Sequence, residues 1–517
     1  MSGGERATPP TAREIWAVCL LMFLWLAASS GLRLLTLPDE GRYVGVAWEM
    51  LRSGDWLTPT LDGMPFFHKP PLFYWITAAS LKLFGLHPFA GRAASILGAT
   101  LGSLALYLFV RRWAGLRFAR STAAVLLVQP LFYIGAQFAN LDMLVAGCIT
   151  ATICLLGDAA LSLEHRLRWR RSLLAAYALA ACGVLAKGLI GFVLPSLVIG
   201  LWLLTGQRWR TLLRLVSLPG LALFLLVAAP WFVAMQQRFP DFLHYFFVVQ
   251  HFQRFAAGGF NNVQPFWFYP AVLMLASLPG LPALLALLRR RGLLQDAVRG
   301  DLRFLMLVWL VCIVGFFSVP QSKLVGYVLP AVAPLACLIA DGLEPWSVKA
   351  WRLAVGLSML ISVGVVVGLG IYPLKNSRDF ADALSAQARA GEPLFMVHQY
   401  AYDLPFYAHL QAPVAVIDDW SDPALRTTDN WRKELADASR FAPPGSAQRL
   451  IESTDLMQAL CGSPVSYLLG ETALVQSRWP RIAGAQALAS VRGSTLWRIE
   501  ASRLDCPGTP NAGSASR

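Results

Sequence analysis

The residues able to do chemistry in this sequence stand at the ends of apolar runs. The stretch LPDEGRYVGVAWEML, residues 37–51, follows an apolar run that ends near Leu35 and opens with Asp39, Glu40 and Arg42. Tyr43, Val44, Ala47, Met50 and Leu51 fall at helical spacing, which predicts an amphipathic helix lying along a membrane face and ending at Gly54. Asp39 then has two readings. It can cap this helix, its carboxylate accepting a backbone N–H two or three residues on. It can instead serve as a base or positioning acid for a hydroxyl. Local physics alone favours the cap.

A second stretch is FFHKPPLFYW, residues 66–75. Proline pushes the preceding residue towards an extended backbone, and Pro71 suits the first position of the helix LFYWITAASLKLF. Lys69 is thereby held beside the unpaired N–H groups of a helix N-terminus, a place suited to a phosphate; the alternative is a lysine snorkelling to lipid headgroups. The theme recurs with Asn140 and Asp142 in FANLDML, Lys187 in LAKGLIGFVLP, His251 and Arg254 in QHFQRF, and Lys323 in PQSKLVGYVLP. An unpaired charge inside an apolar segment costs several kcal/mol, so Asp142 and Lys187 mark either an ion pair or a ligand. Five cations against a few acids favour an anionic ligand at one membrane surface.

The elements that must position these residues are membrane helices. The 517 residues are 56% hydrophobic and only 14% charged, with a mean hydropathy of +0.52, too apolar for a soluble chain of this length. Apolar runs of about 17 to 25 residues start near Ile15, Ala90, Ser121, Leu141, Leu173, Leu189, Leu212, Phe266, Leu302, Leu324 and Leu353. They predict a polytopic α-helical membrane protein with about 11 to 13 spans and external amphipathic helices. The net charge of +14 does not point to nucleic acid, because Lys and Arg cluster in alternate loops: Arg111 to Arg120, HRLRWRR, Arg208 to Arg214, RRR from Arg289, and Lys349 with Arg352. Cytoplasmic placement of these loops puts the N-terminus inside and every candidate residue outside. A cleaved signal peptide is the rival at the N-terminus, but its apolar run continues to Leu37 and the preceding TARE is weakly basic.

The expected division is a membrane domain over residues 1–374, with a first external loop at about 37–89, and an external domain over residues 375–517. The second part, roughly 140 residues, is large enough for one small domain. Its strands PLFMV, PVAVID, VSYLLG and STLWRI with the helical AYDLPFYAHL predict an α/β module, and its last dozen residues read as disordered. Six cysteines lie in apolar segments as small buried hydrophobes, whereas Cys461 and Cys506 can pair if the tail faces an oxidising compartment.

The stretch DEGRYVGVAWEMLRSGDWLTPTLDGMPFFHKPPLFYW closely resembles the first external loop of bacterial membrane glycosyltransferases typified by the lipid A 4-amino-4-deoxy-L-arabinose transferases, relatives of the protein O-mannosyltransferases. The likeness continues in order through LDM, LAKG, HFQRF, PFWFY and SKLVGYVLP. The resemblance implies a GT-C type fold in the bacterial inner membrane, an undecaprenyl-type phosphate sugar donor, and a lipid or glycan acceptor at the periplasmic face, lipid A among them. It implies that Asp39 is the catalytic acid of the first loop, that Lys69 and Arg254 meet the carrier phosphate, and that Asp142 supports the same cavity. Lys187, Lys323, Arg42, Tyr43 and His251 complete the substrate-binding candidates. Topology and resemblance together move Asp39 from cap to chemistry.

The pattern is broken where His68 and Gln250 replace glutamates of the aminoarabinose enzymes. That weakens the assignment of aminoarabinose as the sugar, since an acid beside a substrate ammonium is missing. His68 with His251 is one way to hold a divalent metal; no other cofactor follows from the residues, and the metal stays unassigned. The alternative function, a transporter or flippase of a lipid-linked sugar, usually places binding groups at broken helices near the midplane and shows repeats. Here the charges gather at one face and no repeat is visible.

Overall fold

The computed structural model describes residues 10–253, 262–290, 292–295, 299–426, 430–443, 445, 449–504 and 506, with the side chains of 251–253 and 426 outside the description. Arg254 and residues 507–517 therefore lie outside the described residues. The chain divides into two compact units: Met1–Arg33 with His68–Tyr372, and Leu34–Phe67 with Pro373–Arg517.

The first unit is helical. Among the described residues, six helices are long and apolar enough to cross a membrane: Pro88–Ala114, Leu141–Glu164, Leu218–Arg238, Arg299–Ser318, Val325–Leu343 and Val348–Ile371. Two bent pairs raise the number to as many as eight, Leu116–Val128 with Pro130–Ala136 at 65° and Phe268–Ala276 with Leu281–Leu288 at 115°. Ala12–Ala27, Arg170–Lys187 and Ile190–Thr205 also occupy expected runs. They do not meet the same test of length and apolarity, so the described helices reach eight spans by that test and not eleven. The breaks have a chemical basis. Pro130 cannot donate to the helix before it, and Gln129 caps the next segment by accepting from Phe132 N–H. The amide of Gln129 also donates to the Ser277 hydroxyl at the second break, 3.3 Å away, so two irregular points satisfy one another inside apolar surroundings.

Leu141–Glu164 is buried along nearly its whole length, whereas Val348–Ile371 exposes Leu353, Leu360 and Ile371, a surface suited to hydrocarbon. Two of the basic clusters that predicted topology meet acids, Arg112 pairing with Asp158 at 2.9 Å and Arg208 with Asp301 at 2.8 Å, and Arg303 pairs likewise with Asp341 at 2.5 Å. Asp142 and Asp158 lie on one helix, about 24 Å apart along its axis at 1.5 Å per residue. That approaches the hydrocarbon thickness, so these polar groups stand at opposite ends of the helix layer.

The second unit has a six-stranded sheet. A first hairpin, β1 (Thr60–Leu61) and β2 (Met64–Pro65), precedes it. The sheet comprises β3 (Leu394–Val397), β4 (Ala415–Asp418), β5 (Leu450–Glu452), β6 (Val465–Glu471), β7 (Gln486–Val491) and β8 (Ser494–Glu500), in the order β5-β4-β3-β6-β8-β7. β5, β4, β3 and β6 run parallel to one another, whereas the pairings β6–β8 and β8–β7 are antiparallel. The four expected strands are present. β5 and β7 escaped the sequence reading because β5 is only partly buried and the outer residues of β7 are exposed, leaving little apolar signature. AYDLPFYAHL forms only the short helix Leu404–Tyr407. One core face gathers Phe395, Val397, Ile417, Leu468, Trp497 and Ile499, with Leu456, Leu460 and Leu504 packed beside them. Cys461 and Cys506 are joined as a disulfide at that core.

Residues 34–67, which the sequence assigned with the membrane domain as part of a loop, pack with the tail. The helix Asp39–Ser53 ends at Gly54, φ 73°, as expected. It does not carry one wet and one apolar face: Tyr43, Val44, Val46, Ala47, Glu49 and Met50 are all buried. Gly41 lies against the backbone of Asp403, where a Cβ would come within 2.9 Å of its nitrogen. The helix is therefore an internal element of this unit. Glu49 ties it to the hairpin, accepting from Asp62 N–H at 2.7 Å and Gly63 N–H at 2.9 Å. Asp62 and Gly63 both have positive φ, 53° and 70°, the two-residue turn that Asp-Gly favours. Asp62 Oδ1 in turn accepts from Val414 N–H at 2.9 Å.

Burial, and then the nearby Glu49 carboxylate, push the Asp62 carboxyl up to about 8. Its folded value lies above its unfolded one. This contribution to stability is therefore complete below about pH 4 and is lost as pH rises through 8. The melting temperature of the purified chain is expected to fall between pH 5 and pH 9. Asp62→Asn, which keeps the acceptor for Val414 and tolerates the turn, is expected to flatten that slope. Differential scanning calorimetry across the pH series checks it; equal slopes for both proteins would exclude Asp62 as the source.

Candidate active site

The helix over 39–53 begins differently from the cap reading. Its N-cap is Pro38, without a side-chain cap bond, and Asp39 is its first residue. Glu40 does the capping: its Oε2 accepts from Thr36 N–H at 3.0 Å, while Thr36 O accepts from Glu40 N–H at 3.0 Å. Asp39 is thus released from capping. It still contributes a favourable charge to the first turn.

Asp39 Oδ1 accepts from Arg42 Nη2 at 2.6 Å, one helical turn on. The Arg42 guanidinium lies over the Tyr43 ring, 4.9 Å from its centre, and over Tyr402 at 5.9 Å. Its Nη1 donates to Glu434, whose other oxygen accepts from the Tyr402 hydroxyl at 2.5 Å. Side-chain exposure falls along this chain from 33% at Asp39 through 17% at Arg42 to 8% at Glu434. The result is an accessible acid on a buried, charge-assisted support. Burial, then the Glu434 charge, hold the Tyr402 hydroxyl well above its usual range, so it remains a donor at neutral pH. Neighbouring Asp403 is pushed up to about 6 by burial, against a lowering bond from Ser377 N–H. Asp39, Arg42 and Tyr43 are thus brought together as the sequence placed them. Glu434 and Tyr402 were missed: they lie about 360 to 390 positions away, and NWRKELADAS has only the look of a solvated helix.

In the first unit, Asp142 and Lys187 form an ion pair with side-chain exposures of 7% and 11%. Asn140 N-caps the helix Leu141–Glu164, accepting from Asp142 N–H at 3.0 Å, so the acid sits in a first turn. Lys187 is the last residue of Arg170–Lys187, followed by Gly188 at φ 93°. Each charge thereby suits its own helix end as well as its partner. Tyr327 completes the pair, its ring centre 4.3 Å from Lys187 Nζ. Gly326 leaves the room: a Cβ there would stand 2.2 Å from Asp142 Oδ2. The motif SKLVGYVLP contained both residues, but its sequence marked only the lysine. That lysine, Lys323, is 4% exposed and donates to the carbonyls of Gln264 at 2.8 Å and Pro320 at 2.6 Å. It fastens the backbone of its own unit.

Lys69 is half-buried just before Pro70 and Pro71; the helix begins one residue later than expected, at Leu72 with Pro71 as N-cap. The His68 ring is 6.3 Å from that of Tyr245, and Gln250 donates its amide to the Tyr245 hydroxyl at 2.8 Å. His251 lies in the π-helical segment His244–Gln253. Among the described residues, one trio has metal-compatible spacing: His398, Asp418 and Asp419 in the tail. Arg432 pairs with Asp418 and Arg478 with Asp419, so these acids are already neutralised by cations.

Residues 13–246 match the family model of the dolichyl-phosphate-mannose-protein mannosyltransferases. The chain is 35% identical over 370 residues to the undecaprenyl phosphate-alpha-4-amino-4-deoxy-L-arabinose arabinosyl transferase of Aeromonas salmonicida, covering 69% of this chain and 66% of that one. It is 32% identical to the Edwardsiella ictaluri protein of the same name, covering 71% and 64%. The chain thus spans just under two thirds of these relatives' lengths. Its fold is similar to that of ArnT from Cupriavidus metallidurans solved with undecaprenyl phosphate, with a TM-score of 0.78, 23% identity, and coverage of 95% and 98%. None of these matches supports a transporter. The chain is thus similar in sequence to these arabinosyl transferases and in fold to ArnT, and its described residues include six to eight helices or bent helix pairs long and apolar enough to cross a membrane.

Proposed function

We propose that this protein moves a sugar from an undecaprenyl phosphate carrier to an acceptor at the periplasmic face of the bacterial inner membrane, lipid A or another envelope glycan. The observation that carries this reading is Asp39: a one-third exposed carboxylate with one oxygen held by Arg42, in a chain whose relatives bear the name of such transferases. Among the described residues its Oδ2 has no hydrogen-bond partner, and it is the atom that can receive or orient an acceptor hydroxyl.

The reaction is a displacement at the anomeric carbon. The acceptor oxygen forms the new bond, the bond to the lipid phosphate breaks, and the phosphate leaves with the electron pair. Asp39 takes the acceptor's proton; if the acceptor is an already ionised phosphate oxygen, it only orients it. Lys69 and Arg254 stabilise the departing phosphate. Lys187 and Lys323 have other work, the first neutralising Asp142 and the second fastening carbonyls. Glu40 and Arg42 position helix and acid. An N-terminus in the cytoplasm, eleven or more spans and a periplasmic tail complete the reading, with the Cys461–Cys506 disulfide supporting an oxidising compartment for that tail. A divalent cation would meet the His68 imidazole where the aminoarabinose enzymes carry a glutamate, with His251 as the second donor, and no step here passes through it.

Mass spectrometry of envelope lipids and glycans from cells with and without the gene tests the function. One sugar-bearing product is expected to vanish on deletion, and an unchanged profile would overturn the assignment. Lys69→Ala is expected to weaken binding of undecaprenyl phosphate about tenfold or more, since a charge-assisted contact to phosphate contributes roughly 1.5–3 kcal/mol. A binding isotherm with undecaprenyl phosphate in detergent checks it. Unchanged affinity would remove Lys69 from the phosphate site.

A further inference from the structure

The Asp39 support is built from two distant parts of the chain. Arg42 lies between two carboxylates: Nη2 serves Asp39 at 2.6 Å and Nη1 serves Glu434. Glu434 stands on the helix Trp431–Ser439, which Asn430 caps by accepting from Lys433 N–H. Its second oxygen is occupied by the Tyr402 hydroxyl at 2.5 Å. Tyr402 is 4% exposed and precedes Asp403, against whose backbone Gly41 is packed. Every hydrogen bond in this row either starts or ends on a charge. The row grows more buried away from Asp39, so its rigidity increases in the direction from which the acid is held.

A lone arginine beside an exposed aspartate is a poor positioning device, because its long side chain retains many rotamers. Glu434 changes that. With one edge of the guanidinium fixed on Glu434 and its face on Tyr43 and Tyr402, the remaining Nη2 is held between Asp39 Oδ1 at 2.6 Å and the Tyr43 hydroxyl at 3.3 Å. The shorter of these contacts fixes Asp39 Oδ1, and Oδ2 is left directed by geometry. Helix capping cannot explain the arrangement, since Glu40 does that.

We propose that Glu434 and Tyr402, residues of the tail, are positioning residues of the sugar transfer, acting through Arg42 on the Asp39 carboxylate. This rests on the transferase reading above. The tail is accordingly part of the reaction apparatus.

The test uses the full chain and the product mass that disappears with the gene. Glu434→Gln keeps the shape and removes the charge; it is expected to lower turnover roughly 10- to 100-fold, the scale of a misplaced reacting group. Undecaprenyl phosphate binding should keep its affinity within about twofold and its stoichiometry, which excludes a loss of folded protein. Tyr402→Phe, which removes one hydroxyl from an otherwise unchanged ring, should lower turnover roughly threefold or more, and Glu434→Asp should recover part of the loss of Glu434→Gln. Because Glu434 acts through Arg42, the double variant Arg42→Ala/Glu434→Gln should be no slower than Arg42→Ala alone. Wild-type turnover of Glu434→Gln while Asp39→Asn is inactive would overturn the positioning role and leave the transferase reading standing. Additive losses in the double variant, or a turnover loss matched by lost binding stoichiometry, would also overturn it. Turnover retained by Asp39→Asn would overturn both.

Discussion

Asp39→Asn is expected to abolish transfer, with turnover lowered by a factor of roughly 100 to 10,000, while the protein inserts and folds as before. The two side chains have the same shape. The amide oxygen can still accept from Arg42 Nη2, so the row through Glu434 to Tyr402 can persist. What disappears is the negative charge and the ability to take a proton. The cost to folding is small, because a charge in a first turn contributes about 0.3–1 kcal/mol and the helix start is secured by Glu40 on Thr36. Product formation by membranes containing equal amounts of each protein, normalised by undecaprenyl phosphate binding, checks it. Near wild-type turnover would take Asp39 out of the chemistry.

The second large effect concerns folding. Asp142→Ala is expected to destabilise the first unit by roughly 3–5 kcal/mol, because it strands the Lys187 ammonium in a buried place. Lys187 is 11% exposed, at the end of an apolar helix, with the Tyr327 ring left to face it. The double variant Asp142→Ala/Lys187→Met removes both charges and is expected to be more stable than the single one, since a neutral pair of apolar groups leaves nothing uncompensated. Thermal unfolding of the detergent-purified chain measures both. A single variant as stable as the wild type would show that the pair contributes nothing to the fold. The crowding of Gly326 against Asp142 gives the pair its shape: any side chain at 326 meets the carboxylate.

Much of this was legible in the order of residues. Long apolar runs must span hydrocarbon, and basic clusters must end them, so the helical nature of the first unit's described residues and the polar groups at helix ends followed from composition and spacing. Short apolar runs disclosed β3, β4, β6 and β8, and Gly54 marked the end of the first-loop helix for a stereochemical reason. Charges inside apolar segments announced Asp142 and Lys187 as significant, because such charges are expensive alone.

The tertiary structure decided who meets whom. Whether Lys187 served a ligand or a partner depended on a helix end that comes 45 residues after Asp142. Whether Asp39 capped its helix depended on Glu40 reaching Thr36, a choice between adjacent acids that local propensity does not make. The first-loop helix looked like a membrane-surface element, since its apolar positions share a face; only packing against Asp403 and Tyr402 showed that its other faces are buried too. Glu434 was invisible for the same reason. A residue's type states which bonds it can make, whereas the partner across some 390 positions is selected by the fold, through burial that makes an unmet charge costly and a met one rigid.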